Sequence, residues 1–129
     1  MKTPLLMILP LTMLLTIPVA AFSETRTYTC IYPSYSDGNR IQKVKREFKL
    51  IFIVDSSKKT AHLVGSMGST EVSASPVIGG GFTFIEITEG GNVMTTSIDS
   101  KLKSVHSRNV IIDGWLIPTQ YYGVCKLQE

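Results

Sequence analysis

Short segments rich in aromatic and β-branched residues recur along this 129-residue chain, and residues that favour tight turns separate them. The strongest segment covers residues 45–55, where a period of two favours a strand over the alternative, a helix. One face of that strand carries Phe48, Leu50, Phe52 and Val54, and the other carries Ile51 and Ile53. The middle of the segment is therefore predicted to be buried on both sides. About eight such strands, with almost no helical periodicity, indicate a small antiparallel barrel or sandwich.

Two cysteines lie near the ends of this series, Cys30 in the first predicted strand and Cys125 in the last. In an oxidising compartment each is the natural partner of the other. The alternative, a reactive or metal-binding thiol, lacks the adjacent base, second thiol or histidine cluster that it needs. Short connections favour a barrel, and closing a barrel brings the first strand beside the last. The sequence therefore predicts an all-β, up-and-down antiparallel barrel of about eight strands, closed by one disulfide.

Residues 1–23 have the features of a secretory signal peptide: a short basic start, an apolar run over residues 5–17, and small residues at the end. Cleavage after Ala21 or after Ser23 satisfies the small-residue rule, and both alternatives stay open. A membrane anchor is less favoured, because about 13 apolar residues fall short of the roughly 20 that a transmembrane helix needs. We expect a periplasmic or secreted protein with one domain at residues 24–129 and no stable membrane anchor after cleavage.

Charge and histidine spacing exclude two classes of partner. The formal net charge is +3, and because Lys2 contributes one positive charge, residues 24–129 carry 3 − 1 = +2. The lysines and arginines are spread along the chain, which argues against nucleic acid. The two histidines, His62 and His106, lie far apart and have no paired ligand spacing. We therefore expect no metal and no cofactor, while the oligomeric state is left open.

His106, Ser107 and Arg108 place an imidazole, a hydroxyl and a guanidinium side by side, which suggests catalysis. In a strand, however, His106 and Ser107 point to opposite faces, so the histidine cannot activate the serine. No Gly-x-Ser-x-Gly nucleophile motif is present either. His106 and Arg108 are instead predicted to share a face and to form part of a binding surface where they meet solvent. A structural role for Arg108, tying the following loop to the barrel, is the alternative.

Four further polar or aromatic residues are informative, and the first two of them have two interpretations each. Glu86 interrupts an apolar strand face; it reaches solvent at the end of the strand or, less favoured, forms a buried pair with Arg108 or a lysine. Trp115 follows the predicted reversal at Asp113-Gly114 and suits the core, which is favoured, or a binding surface. The neighbours Tyr121 and Tyr122 face opposite ways in a strand, so one ring is predicted inside and the other outside.

Two family resemblances add to this pattern. Residues 105–109, Val-His-Ser-Arg-Asn, followed by residues 117–125, Ile-Pro-Thr-Gln-Tyr-Tyr-Gly-Val-Cys, resemble the C-terminal pattern of small exported proteobacterial β-barrel proteins. That resemblance implies no particular activity. The Tyr-x-Cys opening strand and the closing cysteine are similar to the membrane-bound lysozyme inhibitor of c-type lysozyme family, whose members insert a lysine- and serine-bearing loop into the lysozyme cleft. The glycine, tyrosine and tryptophan motif of that family has no counterpart here, so no inhibitory residue is carried over.

The sequence thus predicts a non-enzymatic binding or envelope-associated protein whose partner is an envelope or extracellular protein. An inhibitor of a cell-wall hydrolase is one version of this function. A carrier of a small apolar ligand is the alternative, although the large predicted strand side chains would fill a small lumen, and a hydrolase is the least supported class. The candidate binding surface consists of His106, Arg108, Trp115, Tyr121 and Tyr122.

Overall fold

The computed structural model describes residues 24–129. The predicted signal peptide and its cleavage point, at residues 1–23, lie outside the described residues. Within residues 24–129 no helix is long and apolar enough to cross a membrane. The strands are β1 (Thr25–Ser36), β2 (Ile41–Lys43), β3 (Lys49–Asp55), β4 (Thr60–Gly65), β5 (Gly68–Pro76), β6 (Phe82–Ile87), β7 (Val93–Ile98), β8 (Lys103–Ile112) and β9 (Trp115–Gln128).

Eight of these strands form a closed antiparallel barrel. Hydrogen bonding runs from β1 to β3 and then through each successive strand to β9, which pairs back with β1. The short β2 pairs with the last residues of β1, from Ser36↔Ile41 to Ser34↔Lys43. The predicted up-and-down barrel is therefore confirmed. Because the sheet closes on itself, the backbone groups of each barrel strand find partners on both sides.

The interior is filled by alternate side chains from every barrel strand. Tyr28, Cys30 and Tyr32 share the buried face of β1, as their spacing predicts. At the centre the rings of Phe52 and Phe84 stack with their centroids 4.2 Å apart. The core consists of Tyr28, Cys30, Tyr32, Leu50, Phe52, Val54, Ala61, Leu63, Val72, Ala74, Phe84, Ile98 and Cys125.

The expectation that the middle of β3 is buried on both sides is wrong. Leu50, Phe52 and Val54 are buried, but Ile53, on the opposite face, is 36% exposed. The reason is architectural: a barrel has one sheet layer, so no second layer covers its outer surface. The apolar character of Ile53 therefore reflects the strand propensity of β-branched residues rather than burial.

A disulfide closes the barrel where its first and last strands meet. Cys30 and Cys125 are directly opposite each other in the β1–β9 pair and are joined. Pro33 lies within β1 and does not end it, because a register shift between Ile31 and Ser34 accommodates the proline and the strand continues. Gly123 lies against this bulge, where a Cβ atom would overlap the carbonyl oxygen of Ile31. Only glycine allows β9 to approach β1 so closely.

The two ends of the barrel differ. At one end lie the β3–β4, β5–β6 and β7–β8 turns, beside the first residues of β1 and the last of β9. At the other end lie the β4–β5 turn, the β6–β7 turn and the extended ends of β8 and β9. We call this second end the mouth; it is bordered by Phe48, residues 65–70 and residues 87–93. The projecting hairpin and the cavity described below lie at the mouth.

Candidate functional site

β8 and β9 continue beyond the mouth as a two-stranded extension. The last pair between β7 and β8 is Val93↔Asn109, and β9 ends its pairing with β1 at Gln120. Three further pairs, from Val110↔Ile117 to Ile112↔Trp115, join only β8 and β9 within the described residues. At about 3.3 Å per residue they carry the tip about 10 Å past the neighbouring strands. We call residues 109–118 the projecting hairpin.

The turn and one side-chain tether fix the shape of this hairpin. Asp113 and Gly114 have φ angles of 50° and 81°, so both have the left-handed backbone of a two-residue type I′ turn. The reversal predicted at these residues is confirmed. Near the base, the backbone N–H of Ile111 donates to the side-chain oxygen of Asn92, at 2.9 Å. The tether holds β8 to the β6–β7 turn, which makes the hairpin a defined projection.

Large apolar side chains cover both faces of the projecting hairpin. Five of them have high exposed fractions: Trp115 77%, Leu116 61%, Ile111 58%, Ile112 53% and Ile117 46%. The favoured core position of Trp115 is therefore wrong, because the turn lies above the end of the barrel and no opposite wall faces the tip. Soluble monomers seldom expose so many neighbouring apolar groups without a binding role.

Below the hairpin the mouth opens into a cavity of about 360 Å³. Phe48, Leu50 and Leu63 form an apolar wall on one side. Glu86 and Arg108 lie on the other, separated by Met94, which pairs with both in register. The core residues fill the barrel beneath this cavity.

Glu86 and Arg108 are half-buried but do not pair with each other. The salt bridges among residues 24–129 involve Glu24, Arg26, Glu47, Lys49 and Glu129. Two strand spacings of about 4.8 Å separate the Glu86 and Arg108 backbones. The buried pair considered for Glu86 is thus not formed; the side chain, near the end of β6, is half-buried and lines the open cavity.

His106 lies inside the barrel, although the sequence places it on a solvent-facing surface. It is 3% exposed, and its Nδ1 atom shares a 2.7 Å hydrogen bond with the hydroxyl of Thr96. Burial, together with the smaller effect of the positive charge of Arg108, lowers the pKa of His106 to about 4. The imidazole is therefore neutral near pH 7. Ser107 faces outward and accepts a hydrogen bond from the Gln120 amide at 3.3 Å, so histidine and serine are on opposite faces as predicted.

The two neighbouring tyrosines also divide between the faces. Tyr121 points inward, and its ring centroid lies 4.5 Å from that of Phe48. Tyr122 lies on the outer face, where its hydroxyl donates to the side-chain oxygen of Gln120 at 3.1 Å. The prediction of one ring inside and one outside is confirmed. The five residues of the candidate surface therefore do not form a single patch: His106 and Tyr121 face inward, Arg108 borders the cavity, and Trp115 and Tyr122 face outward.

The sequence-based candidate surface missed the apolar residues that accompany Trp115 on the hairpin. A signal for them is present, because the Asp113-Gly114 turn has two isoleucines before it and Trp-Leu-Ile after it. A strand with one side in a core and one side in water alternates apolar and polar residues. Unbroken apolar residues on both sides of a two-residue turn indicate a hairpin that is apolar on both faces.

Comparisons of the chain with models of known protein families, with curated proteins and with solved structures find no match. Among residues 24–129, no group of three or more histidine, cysteine, aspartate or glutamate side chains is placed to hold a metal ion. Both cysteines are in the disulfide. The mouth therefore combines an apolar projection with a partly charged cavity, which is an arrangement suited to binding.

Proposed function

We propose that this is an exported, non-enzymatic binding protein whose recognition element is the projecting hairpin. One observation carries the proposal: five large apolar side chains on a two-stranded projection are 46–77% exposed. Aromatic and aliphatic anchors of this kind contribute most of the binding energy when a partner's pocket removes them from water. The hairpin is apolar on both faces, which suits a cleft that encloses it better than a flat surface that contacts one side.

The occupant that fits best is a protein with an apolar cleft. At the extreme tip lies Asp113, and a carboxylate at the deepest point of a bilayer costs a few kcal/mol, whereas a protein cleft can place a hydrogen-bond donor opposite it. Residues 40–49, at the same end of the barrel, carry five exposed cations and one acid, so their net charge is 5 − 1 = +4. Such a flank complements a cleft with an acidic rim.

An inhibitor of a cell-wall hydrolase is one version of this function, in which the hairpin occupies the enzyme's cleft. The resemblance to lysozyme inhibitors supports that version, since those proteins also insert a projecting segment. The features of residues 1–23 and the Cys30–Cys125 disulfide support an oxidising location, the periplasm or the exterior. The partner would then be an envelope or extracellular protein.

The experiment uses immobilised protein to capture partners from envelope extract. The test variant is Trp115→Ser combined with Leu116→Ser, and the matched control is Val77→Ser combined with Ile78→Ser, in the β5–β6 turn at the opposite end of the barrel. Both control side chains are exposed, at 46% and 103%. We expect one partner to bind at equal stoichiometry to the wild type and the control, and at least about 100-fold more weakly to the hairpin variant.

Two results would contradict the proposal. A partner that binds the hairpin variant as tightly as the control would show that recognition lies elsewhere. Sedimentation of the protein with vesicles of phosphatidylethanolamine and phosphatidylglycerol, lost in the hairpin variant, would identify a membrane surface as the occupant instead.

A carrier of a small apolar ligand is the second candidate, and the mouth cavity of about 360 Å³ favours it. Sites for small molecules have volumes from roughly 300 Å³ upward. Extraction of the purified protein with organic solvent, followed by mass spectrometry, tests this candidate. An equimolar apolar compound would support it, and its absence after purification without detergent would count against it.

A further inference from the structure

The mouth cavity has two chemically different sides, and the difference indicates what it can bind. Phe48, Leu50 and Leu63 present an apolar wall, whereas Glu86 and Arg108 present one negative and one positive charge. A purely apolar ligand would leave both charged groups partly desolvated without a partner, which is unfavourable. A ligand with charges of its own would satisfy them.

The two charges are positioned to contact one ligand together. Glu86 and Arg108 lie level with each other on the inner face, because both pair with Met94 in register. Neither takes part in an ion pair or a side-chain hydrogen bond among the described residues. His106 lies deeper in the barrel than Arg108, and the positive charge of Arg108 is close enough to lower the pKa of the His106 imidazole. Its charge therefore acts within the cavity rather than only in bulk solvent.

We propose that the mouth cavity binds a zwitterionic small molecule with an apolar body, the chemical class of the apolar α-amino acids. The carboxylate pairs with the Arg108 guanidinium, which matches it in a two-bond geometry. The ammonium group pairs with Glu86, and the apolar side chain lies against Phe48, Leu50 and Leu63. This site does not depend on the role of the hairpin, and it differs from the second candidate function in taking a ligand with two charges in place of a purely apolar one.

Isothermal titration calorimetry of the purified protein tests this assignment with L-phenylalanine and three analogues. N-acetyl-L-phenylalanine lacks the ammonium group, phenethylamine lacks the carboxylate, and benzyl alcohol lacks both charges. We expect L-phenylalanine to bind at one site per chain, and each analogue to bind at least about tenfold more weakly, since a charge-assisted hydrogen bond is worth about that factor or more.

Charge-specific variants separate recognition from a general loss of structure. Arg108→Gln should weaken L-phenylalanine and N-acetyl-L-phenylalanine about tenfold and leave phenethylamine unchanged, and Glu86→Gln should give the converse pattern. The matched controls are Arg26→Gln, at the opposite end of the barrel, and Glu71→Gln, on an exposed face of β5; both should bind all four compounds as the wild type does.

Three results would overturn the assignment. Benzyl alcohol binding as tightly as L-phenylalanine would leave the carrier function but remove charge recognition. If Arg108→Gln weakened the binding of every compound equally, Arg108 would have a structural role and would not recognise the carboxylate. No heat of binding from any of the four compounds at millimolar concentration would exclude the cavity as a site for this class, without bearing on the hairpin, whose partner is measured separately.

Discussion

Acidification should destabilise the barrel through His106. Burial lowers the pKa of His106 from 6.5 to about 4 in the folded protein, whereas in the unfolded chain it keeps its ordinary value. The unfolded state therefore takes up a proton first. The stability that neutral His106 contributes is fully present above pH 6.5 and is lost as the pH falls towards 4. Between about pH 7.5 and about pH 4.5 the loss in free energy of unfolding is about 2.5 kcal/mol.

Urea unfolding followed by circular dichroism at these two pH values measures the effect. The variant His106→Gln cannot titrate, so its stability, although lower at pH 7.5, should change by about 2.5 kcal/mol less than that of the wild type over the interval. His62→Gln is the matched control for removing an imidazole, because His62 is exposed on β4. Asp37, whose carboxyl accepts backbone N–H bonds that lower its pKa below 3.8, loses its contribution only under more acidic conditions.

One outcome would refute the reasoning. If the wild type and His106→Gln lose the same free energy between the two pH values, His106 is accessible to protons in the folded state. Burial in the barrel would then not keep the imidazole neutral.

Three further predictions concern the closure of the barrel and its hairpin. Replacing Cys30 and Cys125 together by alanine should lower the free energy of unfolding, measured with urea, by about 4.7 kcal/mol. The reason is that the unfolded chain regains the entropy of a loop that spans 95 residues. A loss below about 1 kcal/mol would mean that β1–β9 pairing alone closes the barrel. Gly123→Ala should lower the free energy of unfolding by about 2 kcal/mol or more, because the bulge leaves no room for a methyl group. Gly90→Ala should change the same measurement little, because the added methyl group would meet only the Asn92 side chain, at an ordinary contact distance of 3.9 Å. Trp115→Ser should leave the melting temperature unchanged, because its side chain is 77% exposed; a clear decrease in calorimetry would show that the tip supports the fold.

The architecture was predictable because several independent patterns agree. Alternation identifies the buried face of β3, Asp-Gly identifies the hairpin turn, and the two terminal cysteines require the first and last strands to be neighbours. Each of these signals is local or concerns chain ends, so none of them needs the register of distant strands. Consistency among such signals is what makes a sequence specify one fold.

Whether the His106 side chain points into the barrel or out to solvent was not predictable in the same way. Alternation shows that His106 and Arg108 share a face, but it does not show which face is inside. Polarity suggests the outside, yet Ser104, Thr96 and His106 are all buried. They are tolerated because each finds a partner: Ser104 bonds the Tyr32 hydroxyl at 2.8 Å and Thr96 bonds His106. Those partners come from other strands, so only the assembled barrel reveals them.

The exposure of the projecting hairpin was not predicted, for a different physical reason. A sequence gives the length of a strand roughly, but the height of a barrel depends on how far all neighbouring strands extend. β8 and β9 pass the end of β7 by three residue pairs. Apolar residues that would be core in a taller barrel are therefore exposed in this one.

The position of Trp115 has a practical consequence for spectroscopy. It is the single tryptophan of the chain, and it lies at the tip of a hairpin that has no contact with the core. Its fluorescence should report whatever covers the hairpin, without any added label, through a shift of the emission to shorter wavelength. The same emission should be nearly silent when the barrel unfolds, because the indole is in water in both states. An unfolding curve recorded by tryptophan fluorescence would then miss the transition that circular dichroism detects.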